Sequence, residues 1–387
     1  MKKRVAVIFG TRPELIKVAP VIWSLRQNPH FEVLPLSTGQ HRDLLRPFLE
    51  VFQVETAVDL NLLQEGQPVE TILARALLGL REWMREGTPD LVLVQGDTVT
   101  TLAGALAAFY GHIPVGHIEA GLRSGNLAEP FPEEAQRRLV TPLASLQLAP
   151  TGGAAGELLQ EGVPPETIYV TGNTVVDAFL WMVEQVRKRP QAPPWRRSLP
   201  PGARIVAVEM HRRENWGDPI RQVAQAVGRV VARHPDVAAV VSLHPNPLVA
   251  EVFREELGDK DRILLHPAFP YPDWVRLVDD SYLLLSDSGG LQEEAPSVGK
   301  PLLIARRRTE RPEAIRAGCA RLVGTDADQV EAHLEELLQD REVYEAMAQT
   351  PNPFGDGRAA LRITGALEHF FGLGPRPEPF QGGAADE

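Results

Sequence analysis

The feature that most constrains this chain is a rhythm: short, unbroken apolar runs separated by longer stretches whose apolar residues recur at helical spacing. A strand with one face in water alternates apolar and polar residues. An unbroken run therefore means burial on both faces, the situation of parallel strands covered by helices on each side of their sheet. Val5–Phe9, Phe31–Leu36, Leu91–Val94, Val115–Ile118 and Leu146–Leu148 read as such strands, with helices over Pro13–Gln27, Val69–Arg85 and Thr98–Phe109. Residues 187–204 break the pattern with five prolines and six cations, and they read as an interdomain linker. The same grammar then restarts, with strands at Ile205–Val208, Ala238–Ser242, Ile263–Leu265, Tyr282–Leu285 and Leu302–Ile304.

At 387 residues the chain is long enough for two such units, each with its own core. The expected fold class is α/β, with two doubly wound Rossmann-like domains facing across a cleft. In such domains ligands gather outside the carboxyl ends of the strands. The N-terminal domain is expected over 1–186 and the C-terminal one over 205–357. The tail from 375 to 387, rich in Pro, Gly and acids, is expected to be disordered.

The formal net charge is −11, which argues against a nucleic acid or an anionic membrane as the main partner. Any anion has to be met by a local basic pocket. Val5–Phe9 is too short for a secretory signal and no apolar stretch approaches a membrane span, so a soluble cytoplasmic protein is expected. The single cysteine, Cys319, excludes an internal disulfide, and the ten histidines are scattered without ligand spacing, so no metal is expected. There is no Walker lysine loop, HExxH or GxSxG. Gly355-Asp356-Gly357-Arg358-Ala359-Ala360 spells GxGxxA but follows polar helical sequence rather than a buried strand, so it reads as a helix cap and no cofactor is expected.

Four segments after strands could carry chemistry. Gly10-Thr11-Arg12-Pro13-Glu14, with Lys17 a turn later, suits an anion at a helix start, or is simply a well-capped helix with two solvated cations. Ser288-Gly289-Gly290 would let phosphate oxygens approach bare amides, with Glu293 or Glu294 accepting from a ribose diol; the plainer reading is a flexible loop with acids matched to a helix dipole. His211-Arg212-Arg213 offers a proton carrier and a charge clamp for a departing diphosphate, or a basic surface turn. Asp97, Glu119 and Glu133 are candidate acid/base groups. Asp97 and Glu133 also fit helix capping, whereas Glu119, closing an apolar strand before Ala120-Gly121, is harder to explain structurally.

In order along the chain these segments resemble the non-hydrolysing UDP-N-acetylglucosamine 2-epimerases. The matches include Gly10-Thr11-Arg12-Pro13-Glu14, Gln40-His41-Arg42, Gly96-Asp97-Thr98, Glu119-Ala120-Gly121-Leu122-Arg123, Pro132-Glu133-Glu134 and Thr171-Gly172-Asn173-Thr174. They continue through His211-Arg212-Arg213-Glu214-Asn215, Asp287-Ser288-Gly289-Gly290, Thr309-Glu310-Arg311-Pro312-Glu313 and Asn352-Pro353-Phe354-Gly355. The resemblance implies a GT-B-like fold whose last helix, 358–372, packs back on the N-terminal domain. It also implies a homodimer and reversible conversion of UDP-GlcNAc to UDP-ManNAc without a cofactor, by elimination of UDP to 2-acetamidoglucal and re-addition. Carried onto this chain, the catalytic set is Asp97, Glu119, Glu133 and His211. The UDP-sugar would be bound by Arg12, Lys17, Arg212, Trp274, Ser288, Gly289, Gly290 and Glu294. Gln40, His41 and Arg42 would form a regulatory segment, although Asp59–Gly66 lacks the arginine that accompanies it in regulated members, so weakened regulation is expected. Three residues depart from the family pattern: Gln95 stands for His, Gln136 for Asn, and Glu209 for a small or hydroxyl residue two before the histidine. A GT-B glycosyltransferase with a UDP-sugar donor, or a 2-epimerase of a UDP-diacetamido uronic acid, are the alternatives.

Overall fold

The computed structural model describes residues 1–39, 42–61, 67–189 and 191–382, with only the backbone considered at 42–44. The expected regulatory residues Gln40 and His41 lie outside the described residues. Arg42 begins a helix, and its side chain is likewise not described.

The chain divides into two compact units, Met1–Ala178 with Phe354–Gly382, and Phe179–Pro353. In the first unit the strands are β1 (Lys3–Phe9), β2 (Phe31–Ser37), β3 (Val58–Asp59), β4 (Leu91–Gln95), β5 (Val115–Ile118), β6 (Leu146–Ala149) and β7 (Ile168–Val170). They form one parallel sheet in the order β3-β2-β1-β4-β5-β6-β7. The intervening helices are α1 (Arg12–Gln27), α2 (Arg42–Val51), α3 (Val69–Gly87), α4 (Val99–Tyr110), α5 (Glu133–Val140), α6 (Gly152–Gln160) and α7 (Thr174–Arg187). Thr11 caps α1, with Glu14 closing a capping box behind it. Val5, Ala6, Val7 and Leu91–Val94 are fully inaccessible, which is why their sequence shows no alternation.

The second unit repeats the plan. Its strands are β8 (Arg204–Glu209), β9 (Val237–Leu243), β10 (Ile263–Pro267), β11 (Leu283–Ser286), β12 (Leu302–Ile304) and β13 (Ala320–Leu322), in the order β10-β9-β8-β11-β12-β13, all parallel. Its helices are α8 (Asp218–Arg233), α9 (Pro247–Leu257), α10 (Tyr271–Asp280), α11 (Gly289–Glu294), α12 (Pro312–Ala317), α13 (Ala327–Gln339) and α14 (Arg341–Ala348), and α15 (Ala359–Phe370) returns to the first unit. Val208, Ile220, Val227, Val241, Phe253 and Leu285 anchor its core. Each buried side chain of this size stabilises the fold by roughly 1.5–3 kcal/mol relative to exposure.

Each order reverses once, between β1 and β4 and between β8 and β11. Residues at the carboxyl ends of those strands are the ones a doubly wound sheet offers to a ligand.

Three expectations need correction. The change of unit falls after Ala178, inside α7, and not at 187–204. That Pro-rich stretch belongs to the second unit, because Trp195 and Leu199 are buried and Trp195 packs edge-on to Phe269 at 6.1 Å. The return to the first unit comes at Phe354 and not at 358; Asn173 donates its backbone N–H to the Phe354 carbonyl, and Asp177 accepts the first amides of α15. The tail is ordered through Gly382 along the edge strand β7. Phe380 is buried and donates its N–H to the Val170 carbonyl, while Arg376 reaches the Glu166 carbonyl at 2.8 Å and that of Ile168. Among the described residues no helix is long and apolar enough to cross a membrane.

Candidate active site

At the reversal point of the first unit the loops after β1 and β4 are braced by one buried carboxylate. Glu14 accepts the N–H groups of Gly10 (2.9 Å) and Thr11 (2.7 Å) and the hydroxyl of Thr98 (2.5 Å). Burial outweighs these hydrogen bonds and holds its carboxyl above the ordinary glutamate value. Sequence reasoning had seen Glu14 only as part of a helix start.

Asp97 and Glu119 stand beside this brace. Asp97 follows Gly96 at the end of β4, and its Oδ2 accepts from Arg137 Nε (2.9 Å) and Nη2 (2.6 Å). His117, fully buried, holds the Gly96 carbonyl through Nε2 at 2.7 Å. Burial chiefly pushes its pKa down to about 4, so the ring is neutral and donates that proton. Glu119 is the exceptional residue. Its φ is +66°, a left-handed conformation that costs a side-chain-bearing residue roughly 1–3 kcal/mol. It is buried, with Lys17 Nζ 2.7 and 2.5 Å from its two oxygens, Asn173 Nδ2 at 3.3 Å and Gln95 Nε2 also donating. Gly121 keeps this corner tight: at its φ of +89° a Cβ would lie 2.2 Å from the Ala154 carbonyl oxygen. Such strain at the carboxyl end of a strand points to function rather than packing.

Glu133 is the first residue of α5, half-buried, and Arg137 stands one turn on, at the spacing that shares a helix face. Between them Glu134 is fully buried. Its burial alone would raise its pKa, but the Ser124 N–H and Arg138 and Arg137 hold it below the ordinary value. Arg137 thus joins Asp97 to Glu134; the i, i+4 spacing from Glu133 was the sequence signal for it. Arg12 is exposed, its guanidinium 5.4 Å from the Phe48 ring centre.

The second unit's reversal point gathers a histidine and two arginines among carboxylates. Asp287, after β11, plays the part of Glu14: Oδ1 accepts the N–H of His211 (2.9 Å), and Oδ2 accepts the N–H of Arg212 (3.0 Å) and Asn215 Nδ2 (2.8 Å). Ser288, Gly289 and Gly290 open the short helix α11. A Cβ at Gly289 would lie 2.7 Å from Arg311 Nη1 and 3.2 Å from Arg212 Nη2, so two guanidinium groups converge on a bare backbone. The buried Nε of Arg212 has no hydrogen-bond partner among the described residues. Such donors around an open glycine suit an oxyanion pair such as a diphosphate.

Arg311 was not singled out from the sequence, although its segment was. Its Nε donates to Glu293 at 2.6 Å. Glu294 is buried, and its charge adds to burial in raising the nearby Tyr271 hydroxyl well above the usual tyrosine value. Trp274 lies one turn beyond Tyr271 on α10, half-buried.

His211 donates from Nδ1 to Glu209 Oε1 at 2.7 Å. Burial disfavours charge on the ring, but Glu209 and then Asp287 outweigh it and keep its pKa above the ordinary histidine value. Glu209, His211 and Asp287 bring donor atoms within 4.8 Å of one another. The Asp287 oxygens are taken by N–H donors and the ring nitrogen by Glu209, a set that suits an imidazolium better than a cation ligand.

The family model described as UDP-N-acetylglucosamine 2-epimerase matches residues 24–368. The Salmonella typhimurium protein of that name is 43 % identical, covering 95 % of this chain and 99 % of its own. The Bacillus subtilis one is 41 % identical, over 99 % and 100 %. A crystal structure of the Neisseria meningitidis UDP-GlcNAc 2-epimerase bound to UDP-GlcNAc superposes with a TM-score of 0.85 at 39 % identity, covering 95 % of this chain and all of that one.

Proposed function

This chain belongs to the UDP-N-acetylglucosamine 2-epimerase family, and on that premise we propose that it interconverts UDP-GlcNAc and UDP-ManNAc by elimination and re-addition of UDP. The C2–H of the intact sugar is not acidic, because no carbonyl adjoins it. Breaking the C1–O bond to the diphosphate develops positive charge at C1 and acidifies C2–H. A carboxylate removes that proton, leaving 2-acetamidoglucal and UDP. A second acid then delivers a proton to the opposite face of C2 while UDP re-adds at C1. No external electron carrier enters this balance.

The acid/base set is Asp97, Glu119 and Glu133, with Lys17 and Arg137 charge-balancing the carboxylates they hold. His211, Arg212 and Arg311 stabilise the departing diphosphate, and the amides of Ser288, Gly289 and Gly290 receive its oxygens. Arg12, Trp274 and Glu294 complete recognition of the UDP-sugar, Glu294 at the ribose diol and Trp274 beside the uracil. The observation that carries this reading is Glu119, a buried carboxylate in a strained conformation held by three side-chain donors.

A homodimer is also proposed. Leu78 on α3, Phe109 and Tyr110 on α4 and Leu139 on α5 are each more than half exposed, an apolar surface that a second copy would cover. Sedimentation as a monomer at micromolar concentration would count against it. Weak regulation by substrate through Gln40, His41 and Arg42 is expected to give hyperbolic kinetics, and a clearly sigmoidal rate curve would contradict this.

The test of the reaction is proton NMR with UDP-GlcNAc alone in D2O. New UDP-ManNAc anomeric signals, with deuterium replacing H2, are expected. An unchanged spectrum from folded protein that binds UDP would overturn the proposal, and transfer to an added acceptor would assign a glycosyltransferase instead.

A further inference from the structure

One carboxylate that departs from the family pattern lies within hydrogen-bond reach of His211. β8 and β11 pair in register so that Glu209 and Ser286 are direct neighbours at the carboxyl end of the sheet. Glu209 spends both oxygens there. Oε1 accepts from His211 Nδ1 at 2.7 Å, and Oε2 accepts from the Ser286 hydroxyl at 2.9 Å. Ser286 Oγ in turn accepts the Ser288 backbone N–H at 3.0 Å, so the chain of hydrogen bonds reaches the glycine loop.

Resting on the reading of His211 given above, we propose that Glu209 is a positioning residue: it accepts a hydrogen bond from Nδ1–H of His211, fixes the ring and favours the imidazolium, whose Nε2–H then serves the oxygens of the leaving diphosphate. The alternative partner, Asp287, has Oδ1 farther away, 3.4 Å from the same nitrogen, and already accepts the N–H groups of His211 and Arg212 and that of Asn215. The remaining neighbours leave the ring edge available. The His244 ring stacks at 6.3 Å and 28°, with its Nδ1 accepting the Asn246 N–H at 3.2 Å, while Trp216 Nε1 donates to the His211 carbonyl and not to its ring. The Arg212 charge opposes protonation of His211, and the charges of Glu209 and Asp287 favour it. A small or hydroxyl residue at 209 could not supply this charge. In this chain the imidazolium would therefore persist to higher pH.

Two measurements test the proposal. In the wild type, nitrogen-15 NMR of the histidine rings is expected to find neutral His211 with its proton on Nδ1, and an Nε2–H tautomer would overturn the proposal. Glu209→Gln keeps an oxygen acceptor but removes the charge. It is expected to move both the His211 titration and the alkaline limb of kcat/KM down by about one pH unit, so that kcat/KM falls about tenfold at pH 8.5 and proportionally less at pH 6. A purely structural role would lower the rate without moving the titration. An unmoved His211 titration, in an enzyme that needs His211, overturns this proposal alone. Full activity in His211→Gln overturns the assignment of His211 to the reaction, and this proposal with it.

Discussion

The two reversal points share one frame and present different side chains. Each is braced by a buried carboxylate that ties the loop of the first strand to that of the neighbouring one, Glu14 in the first unit and Asp287 in the second. On the first frame stand Asp97 and Glu119; on the second, Arg212 and Arg311 converge on a bare glycine and His211 meets Glu209. On the function proposed above, the same topology serves once for proton transfer and once for holding an anion. Fold sets where chemistry can occur, and the residues at the strand ends decide which chemistry it is.

The largest expected effect separates the two roles. Glu119→Gln should lower kcat by about a thousandfold, and Asp97→Asn or Glu133→Gln by at least about a hundredfold, as loss of acid/base groups does. Calorimetric affinity for UDP should fall far less in all three. Equal losses of affinity and rate would dissolve the distinction between the units. Next in size, Gly289→Ala pushes a methyl against Arg311 and Arg212. UDP affinity should weaken by roughly ten- to hundredfold, about 1.4–2.8 kcal/mol, with KM rising more than kcat falls. An unaltered UDP affinity would remove the anion-binding assignment.

The smallest effects concern the braces. Glu14→Gln and Asp287→Asn each leave buried N–H or O–H donors poorly served and should cost about 1–3 kcal/mol of stability, read from urea midpoints. The Glu14 carboxyl lies above its ordinary value of 4.5 in the folded state. Its contribution to stability is therefore full below pH 4.5 and is lost as pH rises through the higher folded value. The advantage of wild type over Glu14→Gln should shrink on going from pH 4 to pH 8, and an advantage that grew would reverse this account.

Much of this was legible beforehand. The buried strands β1, β4, β5, β8, β9 and β12 appear in the sequence as apolar runs within two residues of their ends. A strand covered on both faces has no solvent-facing position to interrupt it. The short edge strands β3, β7 and β13 escaped because two or three residues carry no periodicity. The braces and charge partners Glu14, Arg137 and Arg311 escaped because their partners lie far along the chain or depend on side-chain direction. Composition also misjudged the chain after 374, where Phe380 finds a buried position beside β7 that no local pattern announces.

By itself, then, the sequence determined the two α/β units, the strand ends at which chemistry gathers, and the family. These depend on local burial patterns and on motifs contiguous in the chain. Only the tertiary structure decided that Lys17, Gln95 and Asn173 meet on Glu119, that Arg311 joins Arg212 over Gly289, and that Glu209 accepts a hydrogen bond from the ring of His211. Most of those pairings join residues far apart in the chain, and even the two residues from Glu209 to His211 do not fix where their side chains point. They form because parallel strands set side by side bring distant loops to the same edge, and folding cooperatively meets the entropic cost of closing the long intervening chain.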